Sequence, residues 1–321
     1  MQDQLILHEL YIERYEKNVS KEYKKILKAL YKKVINDLIS LENIDTIRGR
    51  RLIKFIGSLQ PYFDEFGIEI SEFQKQTIDE FVDFEARTEP QLAKEALSNV
   101  DLVGFTLEKL SAATALHMGT GQTIDELFGK SKDAVIDRIK KECSIGFLQG
   151  ETTQQIISRV RATEDLSGRA AAAIVRTSLT HVSSQARNLV AKENSDVIKK
   201  IKWSSVLDLR TSDICRYRDG KFWDIDENYP VPPAHVNCRS SLAYVTGTEI
   251  IGAKRASMDG PVSSKTTYYE FLKRQPKQII VDILGKERAE LFYTGKLTGD
   301  QLHARDGALL TMKELHKKYD L

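Results

Sequence analysis

Residues 203–240 read WSSVLDLRTSDICRYRDGKFWDIDENYPVPPAHVNCRS, and this stretch breaks the pattern of everything before it. Ile198, Ile201, Trp203, Val206 and Leu207 have the apolar spacing and β-favouring side chains of a strand. Gly220-Lys-Phe-Trp223 reads as a second short strand and Leu242-Ala-Tyr-Val245 as a third, with loops rich in Asp, Pro and Asn between them. Asp219-Gly220 has the composition of a hairpin-type turn. A small β-containing module of about fifty residues is the expectation.

Upstream of the module the apolar residues recur every three or four positions as far as about Lys192, with Pro61 and Pro90 the only prolines. Tyr23, Ile26, Leu27, Leu30, Val34 and Leu38 form one such stripe, and Phe73, Ile78, Phe81, Val82 and Phe84 another. Stripes with polar backs must bury against other helices, in this chain or a neighbour. Gly119-Thr-Gly121 interrupts the pattern, and Thr123 with Glu126 forms a capping-box start for a new helical unit. The expected helices then run from Lys132 to Leu148, Thr152 to Arg161 and Ser167 to Ala191, punctuated by Gly150 and Gly168. In the last of these, the small residues between Arg169 and Thr177 permit close helix packing. Downstream, short helices are expected at Tyr268 to Lys273, Pro276 to Leu284, Lys286 to Tyr293 and Thr311 to Lys318.

The fold class is therefore mainly α with a small α+β module: long amphipathic helices in the N-terminal half, short β-strands around 198–245 and short helices at the C-terminus. The expected division is an N-terminal helical region over 1–121, a central domain over 122–247 and a short-helix extension over 248–321.

Composition bounds the partners. Hydrophobic residues make up 41% and charged residues 29% of 321, near globular averages, which argues against a disordered or fibrous chain. A net charge of +2 is far from the surplus that wraps nucleic acid, so any DNA contact must be local. The basic stretches are Lys21, Lys24, Lys25, Lys28, Lys32 and Lys33, then Arg48, Arg50, Arg51 and Lys54; each reads either as a solvated helix face or as a DNA-contacting one. No signal-peptide pattern opens the chain and no run of about eighteen apolar residues occurs, so a cytoplasmic protein without a membrane span is expected. Cys143, Cys215 and Cys238 are too few, and odd in number, for a disulfide framework.

Cys215, His235 and Cys238 form a Cys-x19-His-x2-Cys array, and thiolate plus imidazole is a donor set zinc accepts. Three donors are one short of a closed site, with Asp208, Ser212 or Asp213 as candidates for the fourth and the two carboxylates the better ligands. An open fourth position would instead hold a water that the metal acidifies. The alternative is that both cysteines are small buried apolar residues and His235 hydrogen-bonds a carbonyl. Pro232-Pro233 is expected to hold the approach to His235 extended and rigid.

Trp203, Asp208, Arg210, Thr211, Cys215, Asp219, Gly220, Phe222, Pro232, Pro233, His235, Cys238 and Arg239 in this spacing resemble the signature of the phage head-morphogenesis family typified by the minor head protein F of phage Mu. Arg176-Thr177 in a helix upstream is similar to that family's lead-in, and the resemblance covers about residues 125 to 245. The tail, with Tyr269-Glu-Phe271, Ile283, Leu284, Gly285, Arg288, Gly295 and Thr311-x-x-Glu314-Leu315, resembles a C-terminal extension of such proteins, or is a set of packed helices. Members often carry Cys-x-x-Cys where this chain has Ser212-Asp-Ile-Cys215, so one of four potential ligands is missing and zinc is weakened as a cofactor.

The resemblance implies a low-copy, non-enzymatic protein of the capsid interior near the portal vertex, assembled in the host cytoplasm. It implies the portal protein and other capsid or head proteins as partners, phage DNA as a further contact, and action in procapsid assembly, DNA packaging or genome ejection. On this reading Arg210 and Arg239 are internal salt-bridge partners or phosphate contacts, and the N-terminal helices supply the portal or capsid interface. The rivals are a metal-dependent nuclease using His235 and an aspartate, a DNA-binding module inside the head, and a toxin fusion. The nuclease lacks a dense carboxylate or His cluster, and the toxin has little chain left after the module.

Overall fold

The computed structural model describes residues 2–41, 50–97, 100–246 and 254–321. Six helices build the N-terminal part: α1 (Gln2–Ser40), α2 (Arg50–Ser58), α3 (Gln60–Ala96), α4 (Leu107–Thr114), α5 (Ile124–Gln149) and α6 (Thr153–Glu193). The predicted α1 stripe is the packed one: Tyr23, Leu27, Leu30, Val34 and Leu38 are buried, with α1 lying against α3 and α6. α5 packs on both α3 and α6, so helices from either side of residue 121 share one core, which includes Phe63, Phe66, Phe81 and Phe128. Tyr23 and Phe128 stack at 5.8 Å within it. The polar ends of its tyrosines are paired, Tyr31 with Thr163 and Ser167 at 2.9 and 3.0 Å.

Two expected helix breaks do not occur. α5 runs unbroken from the Thr123 capping box, so it starts eight residues before Lys132. α6 continues through Gly168, which is buried against α1 with the Lys24 stem 3.4 Å from where a Cβ would stand. A glycine inside a helix costs about 1 kcal/mol, and here it lets two helices approach closely. Gly119 marks another close approach: a Cβ there would sit 2.7 Å from the Pro233 carbonyl oxygen, locking the α4–α5 connection against the loop that carries His235.

The module is a three-stranded antiparallel sheet of β1 (Lys200–Ser204), β2 (Phe222–Asp224) and β3 (Ser241–Val245), with β1 central. Trp203, opposite Leu242, is fully buried, and β3 packs against α6. The first strand ends at Ser204 rather than reaching Leu207. Leu207 instead turns into the C-terminal core beside Tyr268, Phe271, Leu272 and Ile280. Between β1 and β2 a short helix, α7 (Asp213–Arg218), replaces the expected loop.

A hairpin of β4 (Lys254–Ser257) and β5 (Gly260–Ser263) follows, unforeseen because Gly260-Pro-Val-Ser carries only one β-favouring residue. The tail helices match expectation closely: α8 (Tyr268–Lys273), α9 (Lys277–Leu284), α10 (Lys286–Tyr293) and α11 (Met312–Tyr319). Among the described residues, no helix is long and apolar enough to cross a membrane. Arg48 and the 247/248 boundary lie outside the described residues.

Candidate functional site: a thiol–imidazole knuckle seated on α6

The site begins on α6, where Arg176, Thr177 and Thr180 project toward the His235-Val-Asn-Cys238 turn. The Asn237 amide donates to Thr177 Oγ1 at 2.8 Å, and the Thr180 hydroxyl donates to the Cys238 carbonyl at 3.2 Å. Asn237 holds a positive φ of 68°, a conformation Asn tolerates better than most residues. Arg176 bonds the Asn237 side chain while its Nε donates to Glu16 of α1 at 2.9 Å, so one guanidinium joins the bundle to the knuckle. This gives the Arg176-Thr177 pair a mechanical role. Thr180 and Asn237 were not singled out in the sequence, although Thr180 stands one turn after Thr177 on the same helix face.

The peptide between Pro232 and Pro233 is cis and the chain bends there, in place of the expected extended approach. The bend delivers His235 to the two cysteines. Cys215 Sγ lies 3.7 Å from Cys238 Sγ and 3.2 Å from His235 Nε2, with both thiols buried. His235 Nδ1 lies 2.8 Å from the Val236 carbonyl, which places the ring proton on Nδ1 and leaves the Nε2 lone pair facing the sulfurs. Ser212 stands at the N-cap of α7 yet makes no cap bond, because its hydroxyl is turned to His235 Nε2 at 2.6 Å.

Charge follows this geometry. The Cys215 contact, the His235 imidazole and backbone bonds at Ser240 and Ala234 hold the Cys238 thiol well below the ordinary range, while its neighbour Cys215 is pushed far above it by that thiolate and by burial. The Cys238 contact in turn raises His235. The two thiols, the imidazole and the Ser212 hydroxyl thus meet one another at hydrogen-bond distance.

The same donors suit zinc in part. Zinc–sulfur bonds of about 2.3 Å put two thiolates about 3.7 Å apart on a tetrahedral ion, the spacing seen here, and a carbonyl-anchored imidazole is the usual second-sphere arrangement. Ser212 sits at hydrogen-bond distance from His235 rather than at a fourth coordination corner. Neither proposed carboxylate joins the cluster. Asp208 takes Arg239 at 2.6 and 2.8 Å, the Arg210 amide at 3.0 Å and the Thr211 hydroxyl at 3.2 Å. Asp213 takes Arg216 at 2.9 Å. Burial alone would raise the Asp208 carboxyl, but Arg239 and the Arg210 amide outweigh it and bring it down to about 2. Arg210 leaves most of its side chain in solvent.

Asp219 does more than open a turn. Gly220, at φ 79°, makes the reversal, while the fully buried Asp219 carboxylate gathers the Ser205 amide at 2.7 Å, the Tyr268 amide at 2.7 Å and the Arg255 guanidinium at 2.8 and 3.1 Å. Ser205 also donates to the Cys215 carbonyl at 2.9 Å and pairs with Ser240 and the Trp203 indole. This hub ties the sheet, the knuckle and the C-terminal helices together. Nothing in the sequence pairs Arg255 with Asp219, thirty-six residues apart.

Residues 137–243, from within α5 to within β3, match the family described as Phage Mu protein F like protein. Through this region the chain is similar to the Mu F-like phage proteins. Minor head protein GP7 of Bacillus phage SPP1 is 28% identical over 151 residues, which are 42% of this chain and 49% of that protein. The chain thus spans about half the length of the curated relative it matches. No solved structure matches. The Mu F-like region contains the whole knuckle, the α6 residues that seat it and Asp219, whereas Arg255 and Tyr268 lie beyond it.

Proposed function

We propose that this protein is a structural component of a phage head that associates with the portal protein and acts in procapsid assembly, DNA packaging or genome ejection, carried in the virion near the portal vertex. The supporting observation is the Mu F-like match over residues 137–243, together with a knuckle whose polar side chains are spent on one another. Asp208 and Asp213, the carboxylates a hydrolytic centre would need beside His235, are held by arginines. That arrangement supports scaffolding over catalysis.

Co-expression with the portal protein of the same phage tests the proposal. Co-purification of the two is the expected result; a correctly folded chain that never co-purifies with it counts against portal association. Plasmid cleavage with added zinc or magnesium that His235→Ala abolishes would favour the nuclease.

A second reading, contact with packaged DNA, draws support from Lys21, Lys24, Lys28 and Lys32, which lie exposed at one- and two-turn spacing along α1 while the apolar stripe faces inward. DNA binding that weakens steeply with salt is then expected, and binding retained after Lys21, Lys24, Lys28 and Lys32 are changed to Gln together sinks it. Metal analysis separates a zinc-held knuckle from a hydrogen-bonded one. About one equivalent of zinc, with Cys238→Ser unfolding the module, marks the first; metal-free, well-folded protein marks the second.

A further inference from the structure

The geometry points to a metal site, separate from the knuckle, in which His8, Glu85 and Glu89 hold a divalent transition-metal ion through nitrogen and oxygen donors and so clamp α1 to α3. All three residues lie outside the Mu F-like match. His8 comes from α1, and Glu85 and Glu89 stand one turn apart on α3. They are buried, with relative exposures of 4%, 0% and 0%. One donor atom from each lies within 4.8 Å of the others.

Carboxylates are not buried without compensation, and compensation here is incomplete. Glu89 has it: Tyr244 donates to Oε1 at 2.6 Å and Arg187 to Oε2 at 3.4 Å. Neither oxygen of Glu85 and neither ring nitrogen of His8 has a hydrogen-bond partner. His8 Nε2 faces Glu85 Oε1 at 3.3 Å, while the other ring nitrogen, Nδ1, faces Glu89 Oε2 at 3.9 Å, and neither ring nitrogen has a hydrogen bond. Bonds of about 2.0–2.1 Å to a tetrahedral ion place neighbouring nitrogen and oxygen donors about 3.3 Å apart, which is the His8–Glu85 spacing.

Charge points the same way. Glu85 and Glu89 are buried beside a single guanidinium, Arg187, and burial raises the Glu89 carboxyl in spite of it. A dication held between the two carboxylates offsets the cost of burying them. The imidazole stacks on Phe84 at 5.9 Å, which holds the ring plane, and Tyr244 and Arg187 orient Glu89 as second-sphere partners do. Mixed imidazole–carboxylate donors suit zinc, iron or manganese and lack the thiolate that marks the knuckle.

The test uses the full-length chain, stripped with chelator and titrated with Co2+, whose spectrum separates thiolate from nitrogen–oxygen ligation. The expected result is one equivalent with weak visible ligand-field bands and no sulfur-to-metal charge transfer. That equivalent persists in the Cys215→Ser/Cys238→Ser chain, where the melting temperature rises with free metal. It is lost in Glu85→Gln and in His8→Gln. Should a variant fail to fold, the wild-type titration still decides, because the added equivalent either brings ligand-field intensity without charge transfer or does not. Cobalt uptake accompanied only by charge transfer, no uptake by folded protein, or full uptake by folded Glu85→Gln overturns the proposal.

Discussion

The helical bundle and the β-module both bury a core, but they are held by different physics. The bundle buries interchangeable apolar volume, with Phe63, Phe66, Phe81 and Phe128 filling the space between α1, α3, α5 and α6. Among its buried hydroxyls, Tyr23 pairs with Ser131 and Tyr31 with Thr163 and Ser167. The module adds to its apolar cluster a set of directional contacts to particular atoms: Asp219 to Arg255, Asp208 to Arg239, Thr177 to the Asn237 amide, and His235 to the Cys215 sulfur. A core of the first kind needs a pattern of residue classes. One of the second kind needs particular residues at particular positions.

The largest expected effects probe that contrast directly. Phe128→Ala should cost about 3–5 kcal/mol through the cavity it leaves. Asp219→Ala should cost about 3–5 kcal/mol by leaving the Arg255 charge buried and two amides unpaired. Urea unfolding of the conservative variants separates the mechanisms. Phe128→Leu should recover most of the loss because volume is what matters, while Asp219→Asn should recover little because the charge is gone. Equal recovery in both would erase the distinction.

Next in size is a pH effect within the bundle. His181 on α6 is buried, and burial pushes its pKa down to about 4, offset in part by the backbone of Thr114 and Leu116. Its unfolded form takes up a proton near the ordinary value of 6.5, so stability is complete above that pH and falls as pH drops toward 4, by about 3 kcal/mol. His181→Gln should flatten this slope in a stability-versus-pH series.

A smaller and more acidic effect belongs to the module. Asp208, held down at about 2 against an ordinary 3.8, contributes stability that is complete above 3.8 and lost as pH falls toward 2. Partial exposure and solvent screening reduce it to about 1 kcal/mol, and Asp208→Asn should remove that pH dependence. The smallest effect is expected for Thr177→Val, about 0.5 kcal/mol, because the Asn237 amide can turn to water and the Ala173 carbonyl, which Thr177 Oγ1 also meets, lies within the continuous α6. Amide exchange at Asn237 should speed up well before exchange in β1 does, and uniform acceleration would show that the knuckle is not seated separately by α6.

Residue classes were legible and partners were not. The α1 stripe, the Thr123 capping box and the tail helices follow from spacing, because helix faces and caps are local in sequence. Gly168 misled as a break because the reason for a glycine there is Lys24, on another helix. Leu207 looked like strand, yet it belongs to the C-terminal core. At the site, Cys215, His235 and Cys238 were recognisable by type and do converge. Asp208 and Asp213, equally plausible as ligands by type, face arginines instead.

What the sequence alone determined is the helical N-terminal half, the change to short strands near residue 198, the absence of a disulfide framework and the likeness that the family match supports. Each is a property of neighbouring residues or of the set as a whole. Only the tertiary structure decided that Asp219 is a hub, that Ser212 abandons its cap for His235, and that His8, Glu85 and Glu89 meet inside the bundle. Those outcomes depend on which distant groups share a dry space, where an unpaired charge is costly and position, rather than residue type, sets the partner.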